Sequence, residues 1–221
     1  PGREQPMSRP WPIAAIVLAA GSSERMGESN KLLEQVDGHP LLTWVIDEIL
    51  ASTITNVFVV TGFEHKRVET ALDDYPITSL YNPDFSTGIA SSIRTGITNL
   101  PEGIGGVMVF LGDMPLISRN LIGELILRFD PPAGRSIIVP TYRGRRGNPI
   151  LWSRDLFDKM RNLKGDRGAR TLFKQHKKLI YELPVMTQSI IKDVDTPDGL
   201  AAIGEQLKAR KRGDGKTSGS A

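Results

Sequence analysis

Residues 18–27 read Leu18-Ala19-Ala20-Gly21-Ser22-Ser23-Glu24-Arg25-Met26-Gly27, a glycine-bearing stretch directly after an apolar run. Glycine lets a loop turn successive amide hydrogens toward one point, a nest of donors that suits phosphate oxygens. Arg25 and Lys31 flank the loop and can reach a triphosphate, arginine through a two-pronged contact and lysine as a point charge. An ordinary glycine turn with solvated cations fits the same residues. No GxGxxG occurs, and Glu28 and Ser29 stand after Gly27, where a Walker loop has Lys and then Ser or Thr. Neither a typical dinucleotide fold nor a P-loop ATPase is expected.

Leu111-Gly112-Asp113-Met114-Pro115 sets a carboxylate just past an apolar run. Open α/β sheets place their ligands at that edge. A hard ion such as Mg2+ prefers carboxylate and phosphate oxygens, so one or two aspartates and a triphosphate suffice. Asp113 is the first candidate ligand, with capping of the turn before Pro115 as the alternative. In Asp193-Val194-Asp195-Thr196-Pro197-Asp198, Asp195 is a candidate second ligand. Asp193, one residue out of phase, would point to the other side of a strand or stand behind the ligands. Asp195 and Thr196 also suit a helix cap before Pro197.

Apolar periodicity supplies the elements that would hold these groups. Strands are expected at 13–19, 56–61, 77–81, 106–111, 137–139, 150–152, 179–183 and 189–194. Helices are expected at 40–52, 64–72, 88–100, 118–129 with Ser118 as N-cap, and 197–208 with Pro197 at its first position. Continuous apolar strands alternating with amphipathic helices imply an α/β protein, a three-layer α/β/α sandwich around a mostly parallel, Rossmann-like sheet. After Tyr142 the pattern loosens, which predicts a smaller lobe or an antiparallel excursion. The expected organisation is a flexible N-terminus over 1–12, one domain over 13–208 and a disordered tail over 209–221. Within the domain, 13–140 would bind nucleotide and 141–208 the acceptor.

The 221 residues, 39% hydrophobic and 24% charged, fit one such domain. No apolar stretch approaches the ~20 residues of a membrane helix, and 1–12 lacks the apolar region of a secretory signal. A cytoplasmic location is expected. Without cysteine, any metal must sit on oxygen or imidazole. His39, His65 and His176 lack ligand spacing and read as surface residues. Much of the net charge of +3 lies in the tail, and no basic stripe with aromatics marks a nucleic-acid partner.

Residues 18–27 together with Asn30-Lys31-Leu32-Leu33 resemble the signature of the nucleotidyltransferases that mature molybdenum cofactor, enzymes similar in fold to sugar-phosphate nucleotidyltransferases. The resemblance implies that the loop wraps the triphosphate, with backbone near Ala19, Ala20 and Gly21 meeting the base, and that Asp113 binds Mg2+ with Asp195. Asn82-Pro83-Asp84-Phe85-Ser86-Thr87-Gly88-Ile89-Ala90-Ser91-Ser92 resembles the family's base and ribose element, giving Asn82, Gly88, Ser91 and Ser92 as nucleotide contacts, against turn formation and helix capping. Arg146-Gly147-Asn148-Pro149 and Lys164-Gly165-Asp166-Arg167-Gly168-Ala169-Arg170 resemble its two acceptor-side elements, giving Arg146, Gly147, Asn148, Asp166, Gly168 and Arg170.

Arg25, Lys31 and Asp113 are then the catalytic residues. The implied reaction is attack by a phosphate oxygen of the molybdopterin-type acceptor on the α-phosphorus of CTP, expelling pyrophosphate. The guanylyltransferase branch usually has glycine where Ala20 stands and aspartate where Asn30 stands, so the cytidylyl branch is preferred and GTP is the alternative. The cofactor recipient would be a molybdenum hydroxylase or its chaperone. A nicotinamide-dependent oxidoreductase is opposed by the absent GxGxxG, and a non-catalytic nucleotide sensor by the retained charged residues.

Overall fold

The structure, a computed structural model, describes residues 11–22, 30–166 and 168–214, with side chains as far as Arg210. Strand β1 (Ile13–Ala19) is buried along its whole length, which its uninterrupted apolar sequence dictates. After a 3-10 turn at Lys31–Leu33 come a two-stranded ribbon, β2 (Gln35–Val36) and β3 (His39–Pro40), and helix α1 (Leu41–Leu50). The chain continues through β4 (Asn56–Thr61), α2 (His65–Thr70), β5 (Thr78–Tyr81), α3 (Ile89–Thr98), β6 (Gly106–Leu111) and α4 (Arg119–Arg128). Ser118 caps α4 as expected, its side chain accepting from the Leu121 amide.

The excursion after Tyr142 lies within the same sheet. Strand β7 (Ile137–Tyr142) turns into β8 (Arg145–Arg146), and β9 (Ile150–Ser153) then runs antiparallel between β6 and β7. Helix α5 (Phe157–Arg161), strand β10 (Ile180–Pro184) and helix α6 (Pro197–Asp214) complete the chain. The eight-stranded sheet has the order β10-β7-β9-β6-β1-β4-β5, with β8 paired to β7. The pairs β1–β4, β1–β6, β4–β5 and β7–β10 are parallel.

Alternate residues of β1 divide the core. Ala15 and Val17 face Val45, Ile46 and Ile49 of α1 and Ile122 and Leu125 of α4, while Ala14, Ile16 and Leu18 face Ile93 and Ile97 of α3 and Phe157 and Met160 of α5. That is the expected three-layer sandwich. No helix among the described residues is long and apolar enough to cross a membrane.

Two expectations are corrected. Residues 189–194 form no strand; a 3-10 turn spans Gln188–Ile191, begun by the Thr187 side chain accepting from the Ser189 amide. The Ile190 carbonyl there accepts the Asn148 amide, so a loop takes up the hydrogen bonding a strand would use. Helix α6 also continues past Lys208 to Asp214, into the stretch expected to be disordered. Residues 215–221 lie outside the described residues.

Candidate active site

The C-terminal ends of β1 and β6 present the first two site segments side by side. The Gly112 amide donates to the Leu18 carbonyl at 3.0 Å, which seats Asp113 beside the loop that leaves β1. Asn30 is buried and caps the Lys31–Leu33 turn, its Oδ1 accepting from Leu32 at 3.1 Å while its Nδ2 donates to the Phe63 carbonyl at 3.4 Å. That cap aims Lys31 inward. The Lys31 Nζ donates to Asp113 Oδ2 at 2.7 Å and to Asp195 Oδ1 at 2.9 Å. Arg25 and the rest of residues 23–29 lie outside the described residues.

The third segment is held by main chain. The Val194 amide donates to the Asp113 carbonyl at 3.0 Å, and the Val194 side chain is buried. Asp193 and Asp195, two positions apart on an extended stretch, turn to the same side, toward Asp113: the three carboxylates offer oxygens within 4.8 Å of one another. The expectation that Asp193 points to the other side of a strand is therefore corrected. Helix capping falls to Thr196, whose Oγ1 accepts from the Gly199 amide at 3.1 Å, while Asp195 bonds to Lys31.

Burial pushes the Asp113 carboxyl above its ordinary value; Lys31 pulls it back and Asp193 raises it further. Burial alone would lower Lys31, but its bonds to Asp113 and Asp195 outweigh that and hold the ammonium above its ordinary value. Lys31 is thus firmly cationic, and Asp113 is harder to ionise than a surface carboxylate. Three clustered carboxylates form a hard-oxygen donor set of the kind that suits Mg2+ or Mn2+.

Two cavities meet at this cluster. One, of about 300 Å³, is walled by Ala20, Gly21, Lys31, Phe85, Ser92 and Asp113. The other, of about 410 Å³, is walled by Arg146, Asn148, Trp152, Asp166, Arg170 and Asp193, among others. Leu18, Ile89 and Leu111 line both. Asp113 lines the first cavity and Asp193 the second, while Asp195 lines neither.

Asn82, Ser91 and Ser92 come together but bond to one another: the buried Asn82 Nδ2 donates to Ser91 Oγ at 2.8 Å and to Ser92 Oγ at 3.0 Å. This polar clip ties the end of β5 to α3, and Ser92 lines the first cavity. Gly88 has φ +108°, a conformation that favours glycine. Neither it nor Asn82 lines the two cavities. Ala19 is buried within β1.

On the second side, Gly147 packs so tightly on the Ile190 carbonyl that a Cβ would collide with it. Asn148 Nδ2 reaches the Met114 sulfur at 3.8 Å, linking this wall to the segment after Asp113. Arg146 is committed elsewhere: its guanidinium binds Glu182 and lies 5.0 Å over the Phe173 ring. Arg170 pairs with no carboxylate among the described residues, and lost solvation pulls its guanidinium below the ordinary arginine value. Gly168 also lines this cavity; Arg167 lies outside the described residues. Phe85, Ile89 and Trp152, not singled out from the sequence, form much of the apolar wall. Phe85 and Ile89 sat inside a recognised motif, but Trp152 carried no local signal.

A sequence profile of the MobA-like NTP transferase domain matches residues 15–179. The chain belongs to this family. A MobA-like NTP transferase domain makes this chain a nucleotidyltransferase. Purine catabolism protein PucB of Bacillus subtilis is 29% identical over 195 residues, covering 84% of this chain and 93% of that protein. Bifunctional protein GlmU of Zymomonas mobilis is 30% identical over 151 residues, but those span 67% of this chain and only 33% of GlmU. Rv0371c of Mycobacterium tuberculosis superposes with TM-score 0.78 at 25% identity, covering 89% of this chain and 100% of that one. Molybdopterin-guanine dinucleotide biosynthesis protein A of Archaeoglobus fulgidus shares the fold, with TM-score 0.67 at 18% identity over 89% of this MobA-like chain and 99% of its own.

Proposed function

We propose that this MobA-like transferase moves CMP from Mg-CTP to the terminal phosphate of molybdopterin, releasing pyrophosphate and forming the cytosine dinucleotide. The observation that carries the reading is the meeting of two cavities at the Asp113–Asp193–Asp195 cluster, because an acceptor phosphate and a triphosphate must approach at one point. The nucleotide takes the cavity walled by Ala20, Lys31 and Phe85. The acceptor's flat ring system takes the Trp152 side, with Arg170 toward its phosphate. A molybdenum hydroxylase or its chaperone receives the product in the cytoplasm.

Asp113 and Asp195 would hold the divalent ion with Asp193 beside them. Bound there, the ion neutralises charge on the triphosphate oxygens. A manganese complex of Rv0371c, of the same fold at TM-score 0.72, is in keeping with such an ion. The acceptor phosphate is already ionised, so little proton transfer is needed and the protein contributes alignment and positive charge. Lys31 supplies an ammonium at the junction, and Arg25 a second cation from the loop. Two unit charges 4 Å apart interact by about 4 kcal/mol at an effective dielectric of 20, so each well-placed cation can change the rate by orders of magnitude.

Ala20 supports cytosine. It lines the cavity assigned to the nucleotide, at the position where the resemblance gives the guanylyl branch a glycine. The test is incubation with Mg2+, molybdopterin and each of the four nucleoside triphosphates in turn. Pyrophosphate should appear with CTP; release with GTP alone would assign the guanylyl reaction, and release with none would overturn the reading.

A further inference from the structure

Three chain segments bring charge to the junction: the turn carrying Lys31, the end of β6 carrying Asp113 and the stretch carrying Asp193 and Asp195. All three rest on α6. Val36, in the ribbon that follows Lys31, packs in one small apolar cluster with Leu41, Val194, Ile203 and Leu207, and Trp44 and Leu116 border it. Leu116 lies just beyond Asp113, Val194 sits between the two aspartates, and Ile203 and Leu207 belong to α6. Residues near Lys31, Asp113, Asp193 and Asp195 thus share one patch of apolar surface.

A polar latch closes the far end of that patch. Glu48 of α1 is 8% exposed and accepts from the Arg119 amide at 2.6 Å and from the Arg119 guanidinium at 3.1 Å. Arg210, near the end of α6, binds the same carboxylate at 2.5 Å and reaches the Ile117 carbonyl at 3.4 Å. Burying the Glu48 charge is tolerable because two arginines meet it, and removing either leaves an under-compensated buried carboxylate. Arg210 lines neither cavity. Its bonds nevertheless run to the segment between Asp113 and α4, and its helix begins one residue after Thr196.

We propose that α6 is the backing that sets the spacing of the acidic trio, and that Arg210 is a positioning residue for the divalent ion. The proposal rests on reading the trio as the metal site. Side chains that hold metal ligands in place commonly affect affinity about 10–100-fold, and the apolar cluster offers a rigid path for that influence. Loosening α6 frees Val194, and with it the peptide that fixes Asp193 and Asp195 against the Asp113 carbonyl.

The experiment is a titration of the full chain with Mn2+, read by the electron paramagnetic resonance of free ion, for the wild type, Asp113→Ala, Arg210→Ala, Arg210→Lys and Ile97→Val. Ile97 is buried in α3 away from α6, so its truncation lowers thermal stability without touching the latch. The expected result is Mn2+ binding lost in Asp113→Ala, weakened about tenfold in Arg210→Ala, within about threefold of wild type in Arg210→Lys, and unchanged in Ile97→Val. Unaltered affinity in Arg210→Ala overturns the role of α6, as does equal weakening in Ile97→Val. Wild-type binding that survives Asp113→Ala, or no binding at all, overturns the metal reading itself.

Discussion

The Cα of Gly88 lies against the Asp166 carboxylate, and a Cβ there would collide with that carboxylate and with the Gly165 backbone. Next to it, the Ala90 amide donates to the Gly165 carbonyl at 3.1 Å. The first turn of α3, whose Ile89 and Ser92 wall the cavity proposed for the nucleotide, is thereby the seat of the loop that walls the cavity proposed for the acceptor. The expected nucleotide contact at Gly88 is, in geometry, a joint between the two halves of the site.

Gly88→Ala should push residues 164–168 outward, because the loop is easier to displace than a packed helix. Strain at φ +108° adds about 1–3 kcal/mol of destabilisation. The KM for the acceptor should rise about tenfold while the Kd for CTP, measured by calorimetry, changes less than threefold. A larger loss on the CTP side would remove Gly88 from the acceptor wall.

Lys31→Met should separate metal binding from turnover. The ammonium shares Asp113 and Asp195 with any cation that binds the trio, so its removal should tighten Mn2+ binding measured without nucleotide. The same change removes a positive charge near the triphosphate, and kcat/KM should fall by about 100-fold or more. Asp113→Ala should abolish turnover with the fold intact by circular dichroism.

Arg170→Ala should raise the acceptor KM by about 30-fold, the effect of losing a charge-assisted contact of roughly 2 kcal/mol. Arg146→Ala should cost less than fivefold, since Glu182 already takes its charge. Steady-state kinetics at saturating CTP distinguishes them; equal effects would return Arg146 to direct contact with the acceptor.

Glu48 supplies a pH-dependent prediction. Burial would raise its pKa, but hydrogen bonds from Arg119 and the Arg210 charge outweigh burial and hold it below the ordinary 4.5. A carboxylate lowered on folding stabilises the protein above its unfolded pKa, and that contribution disappears as pH falls through the folded value. Glu48→Gln should therefore cost about 2 kcal/mol in urea unfolding at pH 7, and the difference should start to shrink as pH falls below 4.5 and close as pH passes through the lowered folded value. A gap that does not change with pH would assign the loss to packing.

Most of the fold was legible because its signals are local. The apolar run at 13–19 had to be a buried strand, and Ser118 had the side chain to cap the helix behind it. Residues 189–194 misled because β-branched residues favour strands only where a neighbouring strand offers its edge, and here the Asn148 amide takes the Ile190 carbonyl. Trp152 was silent for a related reason: an apolar residue in a short strand looks the same whether it meets the core or a ligand.

By itself, the sequence determined which chemistry was available: carboxylates at 113, 193 and 195, a lysine at 31, arginines at 146 and 170, and a glycine loop after the first strand. Residue type and order establish that much because they depend only on neighbours along the chain. The tertiary structure decided which of these groups act together. It joined Asp193 to the trio, bound Arg146 to Glu182 and made Gly88 a joint, since such pairings arise between residues tens of positions apart, where only the packed sheet and α6 fix distance.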